Sequence, residues 1–145
     1  MSTLYSNILV FIQFAAIGLI AVTGPLIASE WYLLIPEFSG VLLGLYAIYI
    51  MRIGNFNIRP LVKESGKLIT HGPYKIIRHP MYTSILLTLT PLLIDYFTLF
   101  RLIVMIILTI NLVIKLHFEE GLLKAHFKEY PDYMQSTNRV IPCLF

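Results

Sequence analysis

Four long apolar stretches constrain this sequence more than any other feature. The first runs from Ile8 to Ile27 and contains the pair Gly24-Pro25. A membrane-spanning helix needs about 20 mostly apolar residues, and glycine or proline within such a helix is tolerated. The sequence therefore predicts an all-α, polytopic membrane protein with about four transmembrane helices, over residues 8–27, 33–51, 81–96 and 100–116.

Composition supports this class. Of the 145 residues, 57% are hydrophobic and 13% are charged, whereas a soluble domain carries about 25% charged residues. The first basic residue is Arg52, so no positively charged region precedes the first apolar stretch. We therefore interpret that stretch as a mature span rather than a cleaved signal peptide. The single cysteine, Cys143, excludes an intramolecular disulfide.

The basic residues predict the orientation. Of the eleven Lys and Arg residues, only Arg101 lies away from the central loop, the C-terminal tail and the span ends that border them. Because positive charge marks cytoplasmic segments, loop and tail are expected in the cytoplasm, together with the active site. We divide the single membrane-embedded domain into two N-terminal spans (1–52), a cytoplasmic loop (53–80), a helical hairpin (81–116) and an amphipathic cytoplasmic tail (117–145). Gly40 and Gly44 have the spacing that permits close approach of another helix.

The central loop carries the first polar motif, H-G-P-Y at 71–74 followed by R-H-P-M-Y at 78–82. Gly72-Pro73 predicts a turn, and Pro80 suits the first position of the third span. Arg78 and His79 then lie at the positive end of a helix dipole, a favourable place for a carboxylate. The alternative is a basic collar that binds anionic lipid headgroups.

The tail carries the second motif, Glu119-Glu120, directly after the fourth span. Apolar residues continue at helical spacing through Leu122, Leu123 and Phe127, which predicts an amphipathic continuation of the helix. Two adjacent carboxylates repel each other, so we expect one to bind ribose hydroxyls or an amino group of a ligand. The alternative is a pair of helix salt bridges with lysines four residues away.

Other kinds of site find little support. His117, Glu120 and His126 do not form the H-E-x-x-H pattern of a zinc site, so no metal is expected. Neither a glycine-rich dinucleotide loop nor a P-loop lysine motif occurs. The net charge of +3 resides in segments that flank the membrane, which argues against nucleic-acid binding and for contact with membrane lipids.

The two motifs together resemble those of the isoprenylcysteine carboxyl methyltransferase and phospholipid methyltransferase family. The second block comprises the following residues: Glu119, Glu120, Leu123, Phe127, Tyr130, Tyr133, Arg139, Ile141 and Pro142. The resemblance covers about the last half of the chain. It implies an enzyme that transfers a methyl group from S-adenosylmethionine to a lipid-like or hydrophobic carboxylate, amine or thiol.

The resemblance also implies the site residues. Those expected near the reaction centre are Arg78, Glu119, Glu120 and Arg139. Those expected at the cofactor are His71, Gly72, Tyr74, His79, Pro80, Tyr82, Glu119 and Leu123. Two alternatives stay open. One is an NADPH-dependent membrane reductase of the sterol reductase type, and the other is a non-catalytic four-helix scaffold in which Glu37 and Asp95 would matter.

Overall fold

A computed structural model describes residues 3–55 and 68–142, with side chains over 4–51 and 68–142. This part of the chain is mostly helical. Its elements are α1 (Thr3–Val22), α2 (Trp31–Asn55), a 3-10 turn (Gly72–Lys75), α3 (Pro80–Asp95), α4 (Leu99–His126) and α5 (Tyr130–Ser136). Within the described ranges no strand occurs beyond one isolated bridge, so the all-α prediction is confirmed. Cys143 and residues 56–67 lie outside them.

Three of these helices, α1, α2 and α4, are long and apolar enough to cross a membrane. The third predicted span, 81–96, corresponds to α3, which has 16 residues. At 1.5 Å per residue α3 is about 24 Å long, less than the roughly 30 Å of a hydrocarbon core. Helix length therefore supports three of the four predicted spans.

Helix ends differ from the predicted boundaries. α1 ends at Val22 rather than Ile27, since the residue before Pro25 avoids the helical region. α4 extends ten residues beyond the predicted limit at Leu116, to His126. The predicted helical continuation is thus confirmed, and Glu119-Glu120 belongs to the same unbroken helix as the fourth span.

The two helices of the predicted hairpin, α3 and α4, each pack mainly on another helix. α3 packs most extensively on α2, and α4 on α1, whereas α3 and α4 contact each other more sparsely. The predicted close approach at Gly40 and Gly44 is confirmed. A Cβ atom on Gly40 would lie 2.6 Å from the Thr88 hydroxyl of α3, and one on Gly44 would collide with the Ser84 hydroxyl. These two glycines therefore let α2 lie directly against α3.

α1 and α4 run antiparallel, since Tyr5 packs edge-on against Phe118 at one end and Gly24 lies against Arg101 at the other. Arg101 is the basic residue that the sequence placed away from the central loop and the tail. It lies in the first turn of α4 and is fully buried. Its guanidinium donates to the Tyr96 carbonyl at 3.1 Å and stands 5.7 Å from the centre of the Tyr96 ring.

Candidate functional site

A short parallel bridge joins the central loop to the C-terminal tail. The Arg78 amide donates to the Asn138 carbonyl at 2.8 Å, and the His79 amide donates to the Arg139 carbonyl at 2.9 Å. In return, the Asn138 amide donates to the Ile76 carbonyl at 3.1 Å. These bonds connect segments about 60 residues apart and bring the R-H-P-M-Y motif beside the end of α4.

The Arg78 side chain is held on several sides. Its Nε donates to Glu120 Oε1 at 2.8 Å, and its Nη1 donates to the Met134 carbonyl at 3.1 Å. The same Nη1 also donates to the carbonyl and hydroxyl oxygens of Thr137. Only 6% of the side chain is exposed. Arg78 therefore ties α4 to the end of α5, and its contacts are made within the protein.

Glu120 has a second arginine partner. Arg139 Nε lies 3.2 Å from Glu120 Oε2, while Arg78 holds the other oxygen. A carboxylate that is 3% exposed needs such pairing, because a buried unpaired charge costs several kcal/mol. Arg139 is 30% exposed. Of the two predicted arginines, Arg139 is thus the one that faces the surroundings of the site.

His79 lies between the two adjacent carboxylates. Its Nδ1 is 3.4 Å from Glu119 Oε2, and its Nε2 is 3.7 Å from Glu120 Oε1. Burial by itself lowers the pKa of His79, but hydrogen bonding and attraction to Glu119 and Glu120 more than offset it, so the pKa is raised. The arrangement therefore favours a protonated imidazolium between two carboxylates.

Tyr82 contacts both His79 and Glu119. The two rings stack with a centroid separation of 5.3 Å and an angle of 2°. The Tyr82 hydroxyl donates to Glu119 Oε1 at 2.6 Å. Glu119 is therefore oriented by a tyrosine and a histidine, whereas Glu120 is held by two arginines, although the two carboxylates are neighbours in sequence.

Three tyrosines, one from the central loop and two from the tail, lie where these two segments meet beside the site. The Tyr133 hydroxyl donates to the Tyr74 carbonyl at 2.5 Å, which joins α5 to the 3-10 turn. Tyr130 is buried and packs edge-on against Tyr133. Burial raises the pKa of Tyr74 and Tyr130, and it raises the pKa of Tyr133 to about 12 although Arg78 opposes the shift. All three phenols therefore remain protonated near neutral pH.

The predicted turn at Gly72-Pro73 is confirmed as the 3-10 turn. Gly72 has φ +62°, a conformation that side chains disfavour. A Cβ atom there would also lie 3.0 Å from the Ile50 side chain of α2. Glycine at this position lets the turn rest on α2. Pro80 is the first residue of α3, as predicted, and His79 precedes it as the N-cap.

The structure joins most of the predicted site residues into one set, which we call the carboxylate cluster: Arg78, His79, Tyr82, Glu119, Glu120 and Arg139. His71 is exposed at the start of the 3-10 turn, and its side chain does not cap that turn. Leu123 is partly buried on α4, one turn beyond Glu119. Neither side chain takes part in the hydrogen bonds and ion pairs that define the cluster.

Lys115 contacts the carboxylate cluster through Tyr82, and the sequence did not predict this contact. Because it ends an apolar span, the sequence assigned it to the flanking positive charge. It is instead 2% exposed, and its Nζ lies 2.5 Å from Gln13 Oε1 and 5.4 Å from the centre of the Tyr82 ring. The available signal was Gln13, a polar amide in the middle of the first apolar stretch.

Comparison with known proteins supports the resemblance. The phospholipid methyltransferase family model matches residues 37–130, more than half of the chain. The matched region contains both H-G-P-Y and R-H-P-M-Y and the Glu119-Glu120 pair, while α1 and Arg139 lie outside it. No curated protein and no solved structure matches the chain significantly. The chain therefore belongs to the phospholipid methyltransferase family of membrane methyltransferases, as its two motifs predicted.

Proposed function

We propose that this chain is an integral membrane enzyme that transfers a methyl group from S-adenosylmethionine to a lipid-like acceptor at the cytoplasmic membrane face. The observation that carries the proposal is the carboxylate cluster. Its buried Arg78–Glu120 pair supports two partly exposed groups of opposite charge, Glu119 and Arg139. Membership of a methyltransferase family supports the same reaction class.

The exposed groups fit the polar end of S-adenosylmethionine, which combines an ammonium, a carboxylate and ribose hydroxyls. Glu119, whose side chain is 22% exposed, offers an acceptor for an ammonium or a hydroxyl. Arg139, at 30%, offers a cation for a carboxylate. A Cβ atom on Gly121 would meet nothing within 4 Å, so α4 leaves open space directly after Glu120.

When bound, the cofactor supplies an electrophilic methyl group on a positively charged sulfur. The protein's part is to orient the acceptor and to exclude water. A carboxylate or thiolate acceptor is already anionic and needs no base. For the headgroup amine of a phospholipid acceptor, Glu119 would receive the proton, because Glu120 is held by two arginines.

We further propose that α3 completes a fourth crossing. Its first residue lies at the carboxylate cluster. At its other end, the Ser29 hydroxyl of the α1–α2 connection donates to Asp95 at 3.2 Å. α3 thus joins the same two ends of the bundle as α1 and α4. The positive charge of loop and tail supports a cytoplasmic location for the cluster.

The proposal is tested by calorimetric titration of the purified, detergent-solubilised protein with S-adenosylhomocysteine. We expect the wild type to bind. Glu119→Gln removes a charged acceptor worth about 1.5–3 kcal/mol, which corresponds to roughly a tenfold to hundredfold weaker affinity. The matched control is Glu129→Gln, an exposed glutamate of the same tail, which should bind as the wild type does.

The methyl acceptor is then identified with S-adenosylmethionine labelled at the methyl group. Label should enter the organic phase when phospholipid is supplied, and it should not do so with Glu119→Gln. A folded wild type that binds NADPH and not S-adenosylhomocysteine would overturn the proposal in favour of a reductase. The family match favours methyl transfer over that alternative.

A further inference from the structure

We propose that Gln13 of α1 and Lys115 of α4 are positioning residues of the methyl-transfer site. In this proposal they hold the Tyr82 ring and, through its hydroxyl, the Glu119 carboxylate. The inference deepens the proposed function and rests on it. It also makes α1 part of the catalytic unit, although α1 lies outside the region that matches the family.

The first step is the burial of Lys115. Its side chain lies within the apolar bundle, where only 2% of the residue is exposed. A charged residue inside a membrane protein is costly and marks a functional position by default. Its ammonium contacts the Gln13 amide oxygen at 2.5 Å. α1 therefore orients this ammonium.

The second step is the contact with Tyr82. The Lys115 ammonium lies 5.4 Å from the centre of the Tyr82 ring, and such attraction reaches about 2 kcal/mol when the cation is desolvated. The His79 ring stacks on Tyr82 as well. The lysine and the histidine together define where the tyrosine ring lies.

The third step leads to the reactive end of the site. The Tyr82 hydroxyl donates to Glu119 at 2.6 Å, so a displaced ring would move the carboxylate that we assign to the ligand. A misplacement of about 1 Å in a catalytic site costs on the order of a hundredfold in rate. The path from Gln13 to Glu119 is thus short enough to matter for activity.

Asn111 provides a matched control. It lies on α4 four residues before Lys115, is 4% exposed, and donates to the Leu9 carbonyl of α1 at 3.0 Å. Asn111→Leu therefore removes a buried polar contact between the same two helices, but one that is made to α1 backbone. Gln13→Leu and Lys115→Met remove the contact that leads to Tyr82.

The first readout is nuclear magnetic resonance of protein labelled with ¹³C-tyrosine, in which the Tyr82 signal is assigned by its loss in Tyr82→Phe. We expect Gln13→Leu and Lys115→Met to shift this signal and Asn111→Leu to leave it in place. Lys115→Arg, which keeps the cation, should restore it in part. An unchanged Tyr82 signal in both Gln13→Leu and Lys115→Met would overturn the inference.

The second readout is affinity for S-adenosylhomocysteine. We expect roughly tenfold weaker binding for Gln13→Leu and Lys115→Met than for Asn111→Leu, at similar thermal stability. Equal affinities in all three variants would overturn the inference and leave the proposed function standing. A wild type that does not bind would refute the proposed function, while the Tyr82 signal still decides the inference. Should Lys115→Met fail to fold, Gln13→Leu decides both readouts.

Discussion

Buried charged side chains are paired differently at the two ends of α4. Near its C-terminal end, Glu120 is paired with Arg78 and Arg139, and His79 lies beside it. Near its N-terminal end, Arg101 is fully buried and its Nη1 donates to a backbone carbonyl. Among the described residues, its Nε and Nη2 have no hydrogen-bond partner.

This difference distinguishes the proposed ligand site from a structural anchor. At the carboxylate cluster, charges of both signs neutralise each other and leave Glu119 and Arg139 partly exposed. At the other end, the Arg101 guanidinium lies on the Tyr96 ring and against Gly24, which fastens the end of α1 to α4. Exposure of charged groups, rather than their number, indicates where a polar ligand can bind.

The largest expected effect is that of Glu120→Ala. The change leaves Arg78 buried without its carboxylate, and breaking such a pair costs about 3–5 kcal/mol. We expect a large drop in melting temperature in detergent. Glu119→Ala is the control, because its side chain is 22% exposed against 3% for Glu120. Equal melting temperatures of the two variants would show that the Arg78–Glu120 pair stabilises the protein no more than Glu119 does.

The next effect concerns the opposite end of α4. A Cβ atom on Gly24 would overlap the Arg101 guanidinium and lie 3.0 Å from the Tyr96 ring. Because Arg101 is fully buried and has little room to move, we expect Gly24→Ala to destabilise by about 1–3 kcal/mol. Affinity for S-adenosylhomocysteine should be unchanged, since the carboxylate cluster is not touched.

Gly18→Ala is the matched control for Gly24→Ala. Gly18 lies within α1, and a Cβ atom there would meet nothing within 4 Å. Replacing a mid-helix glycine by alanine gains roughly 0.5–1 kcal/mol, so this variant should melt at or above the wild-type temperature. If Gly24→Ala behaves in the same way, the anchor at Arg101 is not tightly packed.

The smallest effect is the pH dependence carried by His79, because burial and the two carboxylates act on its pKa in opposite directions. The pKa is raised above the usual 6.5, so the stabilisation is fully present below that value and is lost as pH rises through the folded-state pKa. The melting temperature of the wild type should therefore exceed that of His79→Phe by a larger margin in mild acid than in alkali. A gap that widens in alkali would contradict the raised pKa.

Much of the fold could be predicted from short-range patterns in the sequence. The apolar stretches predicted the helical membrane class, Gly72-Pro73 predicted the turn, and Pro80 predicted the start of α3. Gly40 and Gly44 predicted a close helix contact, and α3 is the helix that makes it. Each of these features depends on residues close together in sequence, where backbone geometry and hydrophobicity act directly.

Only the tertiary structure decided how the charged residues are used. Glu119 and Glu120 are adjacent in sequence, yet one is oriented by Tyr82 and the other is held by Arg78, 37 and 42 residues away. The same applies to Lys115. Its position in the sequence predicted a location at the membrane edge, but in the structure its ammonium contacts Gln13 of α1. Whether a charge is buried, paired or free for a ligand depends on which distant helix packs over it, and sequence spacing does not contain that information.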